Sequence, residues 1–517
     1  MEGMKIFVCF AITVIFELTG GAEGLPSDGG FDVREHLSTA TRYGARKTAI
    51  NEFYEKPKAI PIGCTPIHLN LVARHGTRAP TKKRIKELEK LSVRLETLLK
   101  SAGHMTGEGH DLQQLPSWLR GWRCPWDGTK TGGQLTLEGE EELYNFGKRI
   151  RERFPELFVE DYHPDVYPIT ATQIPRASAS AVAFGLGLFS GKGILGSGQH
   201  RAFAVISDSR VSDIHLRFHD TCQTYKGFKK MRKPSIDALL VHIYAEVSTS
   251  LVDRYKLNFT KEDVSSLWFL CKQEATLLDR TDQACGLFSP NEVELLEWAD
   301  DFELHHLKGY GESLNYRMGV PLLQNVVQSM EQAILTDTDP LQGSLEKARL
   351  RFAHAETIIP FTCLLGLFLE ISDLEKIQSE QPLQPPPKPP QQRMWRGSTV
   401  APFAANNMLV LYKCPAKGGN SGKNISTGEQ DKSFFVQMLH NEKPARMPGC
   451  NGTAFCPFEV FKEKVAGPHL KHTFESLCTI KATPRNCSST CRLTRFFKWL
   501  FLGDGAKIDS CEDRADL

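Results

Sequence analysis

Three times along the chain, an apolar strand-like run ends in a short polar loop and passes into a helix, and this recurrence in kind constrains the fold more than any other feature. In the first case Ile67 to Ala73 leads into Arg74-His75-Gly76-Thr77-Arg78. After Pro80-Thr81 comes a helix with Ile85, Leu88, Leu91, Leu95 and Leu98 on one face. In the second, Val166 to Thr172 reads as a strand, Arg176 follows within one short loop, and Ala177 to Phe189 reads as a small-residue helix. In the third, Ala348 to Ala353 runs into His354-Ala355-Glu356 and then an apolar helix from Thr357 to about Leu369. In open α/β sheets the ligand crevice lies at the carboxyl ends of the strands. The three polar loops are therefore expected to converge on one pocket of an α/β fold.

The residues in those loops define a chemistry. Arg74-His75-Gly76-Thr77-Arg78 sets an imidazole between two guanidiniums, with a glycine allowing close backbone approach. Guanidinium forks match phosphate oxygens two at a time and stay charged at all accessible pH. Arg176 would complete a clamp around a phosphoryl group, neutralising its equatorial oxygens without a metal. A neutral imidazole can attack phosphorus in line and hold the group covalently, and surrounding cations favour that neutral form. His354 is the natural second imidazole, donating to a phosphate oxygen. Glu356 is the expected general acid for the leaving oxygen and then the base for water, a role served best by a raised pKa or by acidic pH. An Arg-His-Gly tripeptide alone is more often part of a surface ion-pair network; the longer string, with Arg176 and His354-Ala355-Glu356 at equivalent strand ends, is what carries the reading.

At 517 residues the chain can bury the core of one large α/β domain carrying an insertion. Its formal net charge of +2 gives no global reason to expect nucleic acid, so any preference for anions must be local. Lys5, the apolar run Ile6 to Phe16 and the small residues of 19–24 read as a signal peptide over residues 1–24, too short for a membrane span. Sequons at Asn258, Asn424, Asn451 and Asn486 fit export. The 14 cysteines show no zinc-type pairs, so disulfides in an oxidising compartment are expected. Removing Cys9 with the signal leaves an odd number and at least one thiol unpaired or intermolecular. The proline-rich stretch 381–392 reads as a surface loop or spacer. Met408 to Tyr412 and Phe434 to Leu439, separated by a Gly/Ser/Lys-rich segment, read as a hairpin with a long loop.

Together these residues resemble the histidine acid phosphatase family, and within it the multiple inositol polyphosphate phosphatases, which are phytase-like. Leu135-Thr136-Leu137-Glu138-Gly139 with Gly147 to Pro155, then Pro402 to Asn407 and Val436 to Leu439, extend the similarity over roughly Phe31 to Cys478. Most of the wider family carries His-Asp where this chain has His354-Ala355-Glu356, a variant similar to the inositol polyphosphate subgroup. By that resemblance His75 is the nucleophile, Glu356 the proton donor, and Arg74, Arg78, Arg176 and His354 the phosphate ligands; Ala177 stands where a threonine is expected. It implies an α/β core, its sheet mostly parallel with helices on both faces, and an inserted, mostly helical domain. The boundaries expected are core at 31–218, insertion at 219–309, core again at 310–480, and a cysteine-containing tail at 481–517.

The resemblance also implies no cofactor and no metal. It implies a small polyphosphorylated substrate, inositol hexakisphosphate and lower inositol phosphates, with 2,3-bisphosphoglycerate as a second. Lys82, Lys83 and Arg84 could meet outlying phosphates, and a solvated basic helix start explains them equally well. By analogy Cys64 pairs with Cys414. The competing readings are a broad-specificity secreted acid phosphatase and, from another class, a catalytically silent polyanion-binding glycoprotein. The first differs in substrate range; the second needs the cations but neither His75 nor Glu356. No stable membrane span is expected beyond the signal, and the oligomeric state is left open. The ending Arg514-Ala515-Asp516-Leu517 lacks the acidic pair of a lumenal retention signal, leaving endoplasmic reticulum lumen and secretion both open.

Overall fold

A computed structural model describes residues 30–45, 53–56, 59–105, 115–339, 341, 344–369, 371–415 and 432–479. The signal segment 1–24, the sequons at Asn424 and Asn486, the segment 416–431 and the tail from 481 lie outside the described residues. Seven strands form one sheet: β1 (Thr65–Arg74), β2 (Ile169–Ala171), β3 (Ala348–Ala353), β4 (Asn406–Pro415), β5 (Lys432–His440), β6 (Lys443–Pro444) and β7 (Phe455–Pro457). Their order is β2-β3-β1-β4-β5-β6, with β7 beside β5. The sheet is mixed: parallel order is confined to β2, β3 and β1, while β4 and β5 form the expected antiparallel hairpin.

β1 is central and buried from His68 to Arg74. It reads as a nearly continuous apolar run because both faces of the sheet are covered. On one face Leu69, Leu71, Leu350, Phe352, Met408 and Val410 pack against Phe146, Ile150 and Phe184 of α2 (Leu137–Arg153) and α3 (Pro175–Leu188). On the other, Val72, Leu409 and Leu411 share a core with Leu323, Val326 and Met330 of a helix at Val320–Thr338, and with Ile358 and Phe361 of one at Ala355–Leu364. A separate apolar core joins α1 (Lys82–Met105) to three consecutive helices, α4 (Gln223–Tyr255), α5 (Lys261–Leu277) and α6 (Pro290–Lys308). The two helices on the second face are α7 (Val320–Thr338) and α8 (Ala355–Leu364). α4 is long enough to cross a membrane, yet its Ile236, Leu240, Ile243, Val247 and Leu251 are buried in the helical core.

The elements depart from the periodicity in instructive ways. β2 is shorter than the apolar run because Pro168 has no N–H to give to a ladder. α8 begins at Ala355 and ends at Leu364, five residues before the apolar pattern does; Gly366, at φ +68°, turns the chain there. The proline-rich stretch is tied down as a strap: Leu383 is buried, and Trp298 Nε1 donates to Pro386 O at 2.8 Å. Beyond it the buried Arg393 donates to Glu297 and Asp301 of α6. Disulfides join Cys64 to Cys414, Cys222 to Cys478, Cys271 to Cys285 and Cys450 to Cys456; among the described residues Cys124 and Cys363 are unpaired. These bridges fit a protein of the secretory pathway.

The face of β1 and β3 opposite α2 and α3 carries a buried polar knot. Arg349 Nη2 donates to Glu346 at 2.7 Å, and His68 Nε2 lies 2.9 Å from the other oxygen of the same carboxylate. Burial keeps His68 neutral, so it serves as a hydrogen-bond donor while Arg349 supplies the charge. Those hydrogen bonds outweigh burial and hold the Glu346 carboxyl down at about 2. A depressed folded pKa stabilises above the unfolded value, and that stability is lost as pH falls through the folded one. Glu346→Gln is therefore expected to destabilise by roughly 2–3 kcal/mol at pH 7. In urea unfolding from pH 7 downward, the gap from wild type should narrow below about 4.5 and be nearly closed by about 2.

Candidate active site

The parallel register pairs Arg74 with Ala353 and Ala171 with Phe352, so His75, His354 and Thr172 leave the sheet side by side. The His75 and His354 ring centroids are 5.5 Å apart. Gly76 permits the next step: a Cβ there would lie 2.3 Å from the carbonyl oxygen of Gly139, in the first turn of α2. The loop is then clamped. Ser180 Oγ accepts from the Gly76 N–H at 3.1 Å, and Glu142 accepts from the Thr77 N–H and Oγ1 at 2.7 and 2.9 Å.

His75 is buried, and its Nδ1 lies 2.9 Å from the Gly76 carbonyl oxygen. A carbonyl only accepts, which assigns the proton to Nδ1 and leaves Nε2 with its lone pair. Burial, followed by Arg74, His354, Arg176 and Arg78, pushes the imidazole well below its ordinary pKa and keeps it neutral. Arg74 is buried beneath it, donating to Thr39 O at 2.6 Å and Ala401 O at 2.7 Å, with its guanidinium 4.3 Å over the Phe403 ring. Burial and Arg78 push Arg74 down to about 9, and burial and Arg78 push Arg176 down to about 10, still far above neutrality.

His354 is the N-cap of α8, and Arg176 lies in the first turn of α3, so two helix N-termini face the site. A residue absent from the sequence-based set joins them: Arg217 Nη1 donates to His354 Nε2 at 3.1 Å, with Thr172 Oγ1 2.9 Å from the same nitrogen. Arg176 Nη2 lies 3.5 Å from Nδ1 of the same ring, so a guanidinium, which can only donate, stands at each ring nitrogen of His354. The Nε groups of Arg74, Arg78, Arg176 and Arg217 are buried and find no hydrogen-bond partner among the described residues. Arg74, Arg78 and Arg176 act on His75, and Arg176 and Arg217 on His354, so four guanidiniums with unpartnered Nε–H groups surround the two imidazoles.

Glu356, in the first turn of α8, is half-buried, and its Oε1 lies 2.9 Å from Lys308 Nζ at the end of α6. The role of proton donor is served best by a raised pKa or by acidic pH, and here the pKa is not raised. Lys308, reinforced by His219 and His354, outweighs burial and holds the carboxyl well below its usual range. His219, pushed down by burial to about 4, and Lys308 complete the group that sequence reading missed. Arg217 and His219 sit in the dense string Leu216-Arg217-Phe218-His219-Asp220, a signal that was present; Lys308 ends an ordinary amphipathic helix and offers none.

A cleft of about 230 Å³ opens beside Arg74 and Arg78, lined also by Thr81, Arg84, Phe269 and Lys272. Lys82 and Lys83 are exposed, while the Arg84 guanidinium stacks 3.8 Å from the Phe269 ring centroid at the cleft. Asn258 and Asn451 are exposed.

This site belongs to a known class. The profile of the histidine phosphatase superfamily (branch 2) matches residues 67–441, well over half of the chain. The chain belongs to that superfamily and is a phosphatase enzyme. It is similar to proteins named multiple inositol polyphosphate phosphatase 1. The one from Dictyostelium discoideum is 26% identical over 453 residues, 78% of this chain and 66% of the relative. The one from Homo sapiens is 25% identical over 418 residues, 75% of this chain and 77% of the relative. This chain thus spans slightly less than two thirds of the Dictyostelium protein. A thiamine-repressible acid phosphatase of Schizosaccharomyces pombe is 25% identical over 433 residues, covering 82% of this chain and 84% of its own. Among solved structures, the fold is that of a phytase from D. castellii, with TM-score 0.64 and 18% identity over 86% of this chain and 88% of that one. It is also that of the Bifidobacterium longum multiple inositol polyphosphate phosphatase complexed with inositol hexasulfate, with TM-score 0.57 and 18% identity over 84% and 98%.

Arg217→Met should remove one donor from the site and the partner of His354 while keeping the side-chain bulk. The expected outcome is a fall of about 10²-fold or more in kcat/KM, with the thermal midpoint within a few degrees of wild type. Steady-state kinetics and a melting curve on the same preparation check both.

Proposed function

We propose that this phosphatase removes phosphates from inositol polyphosphates, inositol hexakisphosphate and its lower products, through a phosphohistidine on His75. The observation that carries the reading is a neutral His75, its Nδ1–H held by the Gly76 carbonyl and its Nε2 lone pair free, with Arg74, Arg78 and Arg176 acting on the ring. Relatives named for inositol polyphosphates, and a structural neighbour complexed with inositol hexasulfate, support the substrate class. 2,3-Bisphosphoglycerate, also a small molecule with neighbouring phosphates, is the proposed second substrate. The four disulfides and the leading apolar segment support action in the endoplasmic reticulum lumen or outside the cell.

The guanidiniums and His354 bind the equatorial oxygens of the scissile phosphoryl group. His75 Nε2 attacks phosphorus as the ester P–O bond breaks, and its electron pair leaves on the substrate oxygen, which takes a proton from Glu356. The Glu356 carboxylate then accepts a proton from water as the new O–P bond forms and the Nε2–P bond breaks, releasing inorganic phosphate and neutral His75. This mechanism needs both His75 and Glu356, which a silent anion-binding protein would not.

The second reading, a broad-specificity acid phosphatase, draws its support from the fission yeast relative named a thiamine-repressible acid phosphatase. Purified protein should turn over inositol hexakisphosphate with a higher kcat/KM than p-nitrophenyl phosphate; the reverse order favours the second reading. Rapid quenching should trap an acid-labile phosphoenzyme on wild type. His75→Ala should lose that label together with at least about 10⁴-fold in rate. Wild type without label would overturn the covalent mechanism.

A further inference from the structure

A carboxylate that is ion-paired cannot protonate a leaving oxygen, and Glu356 is ion-paired. Lys308 Nζ sits 2.9 Å from its Oε1, on a side chain only 18% exposed. Lys229 of α4 is half-buried close by, its ammonium pushed down by burial, then by Lys308, while Glu356 acts the other way. Lys308 is thus the ammonium that holds the carboxylate, with Lys229 in the same field. Around Glu356, the end of β1 contributes Arg74 and Arg78, α3 contributes Arg176, and α8's N-cap is His354. The segment before α4 contributes Arg217 and His219, and α4 itself Tyr225 and Lys229. Asp220 is taken up by Arg217, and Glu303 acts on Lys229, while Lys308 has Glu356 as its carboxylate partner. An arriving phosphate is the stronger partner for that ammonium: it offers more charge and more acceptor oxygens than Glu356.

We infer that Lys308 is a positioning residue that changes partners: it pairs with Glu356 in the free enzyme and transfers to a second substrate phosphate, one carbon from the scissile ester, freeing Glu356 to become the acid. This rests on the function proposed above and deepens it, because the favoured substrates become those with phosphates on adjacent carbons. Once Lys308 turns away, burial is less opposed, and the carboxyl takes up a proton from a monoprotonated phosphate or from solvent. That proton goes to the ester oxygen as P–O breaks and Nε2–P forms. Glu356 takes a proton from the attacking water as Nε2–P breaks and releases it to the departing phosphate or to solvent, and Lys308 pairs again with the carboxylate when the product leaves. A substrate with one phosphate leaves the pair closed and meets an acid that is mostly deprotonated.

The test compares kcat–pH profiles of the full-length wild type, Lys308→Met and Lys308→Arg on inositol hexakisphosphate and on p-nitrophenyl phosphate. In wild type the basic limb for the aryl ester should lie at lower pH than the limb for hexakisphosphate. Lys308→Met should bring the two limbs together by raising that of the aryl ester, whose kcat above its wild-type limb should increase roughly tenfold for each pKa unit regained. Lys308→Arg keeps the charge and should keep the limbs apart, so the comparison survives if the methionine variant folds poorly. Coincident limbs in wild type, or a methionine variant that loses rate equally on both substrates with limbs unmoved, would overturn the exchange. Wild type that hydrolyses the aryl ester and not hexakisphosphate would instead overturn the function on which it rests.

Discussion

Arg74, Arg78, Arg176 and Arg217 crowd around one spot although each guanidinium repels the others and loses water by being there. Much of the chain is arranged to tolerate that. Arg74 lies on two backbone carbonyls, from Thr39 and Ala401, so the N-terminal segment and the loop before β4 are both folded around one cation. Arg217 is paired with Asp220 and donates to His354, and Arg78 donates to the Ala79 carbonyl. Carbonyl dipoles spread the compensation without placing a carboxylate where phosphate would bind. Carboxylates are kept to the rim: Glu142 holds the loop backbone, and Glu356 holds Lys308. A site built this way favours an anion electrostatically before any specific fit is made.

The same field decides protonation. Both imidazoles are neutral for two concordant reasons, burial and adjacent cations. A neutral ring is what the proposed nucleophile needs, and the Gly76 carbonyl leaves Nε2 as the nitrogen with the free lone pair. Glu356 feels the two influences in opposition: burial favours the protonated acid, while Lys308 favours the carboxylate and prevails in the ligand-free enzyme. In the proposed mechanism, proton donation therefore depends on Lys308 giving up Glu356.

The helical layer of α4 to α6 has its own apolar core and reaches the site through the end of α6 and the start of α4. Its attachment is polar and buried. Glu297 of α6 lies 3.0 Å from His36 and 2.7 Å from Arg396, and Asp301 accepts from Ser38 and Arg393. Removing one partner from such a cluster would strand a buried charge, so the α6 side of the layer is held firmly against the N-terminal segment and the chain beyond the proline strap. That firmness fixes where Lys308 stands relative to Glu356.

Residues 67–78, 166–189 and 348–356 could be read directly, because strand-to-helix periodicity and polar loops are local properties of the chain. From them came the α/β class, the nucleophile loop and the idea that Arg176 and His354 meet it. The order of the strands was not local: only pairing places β3 between β2 and β1 and brings residue 354 beside residue 75. Arg217 and His219 lay in a visible string, yet nothing in that string says it packs on His354. Lys308 could not be found at all, since its meaning depends on α6 ending 2.9 Å from a carboxylate 48 residues further along. The sequence determined which groups are available and what each can do chemically. The tertiary structure decided their distances, and in a buried site distance sets charge, tautomer and pKa.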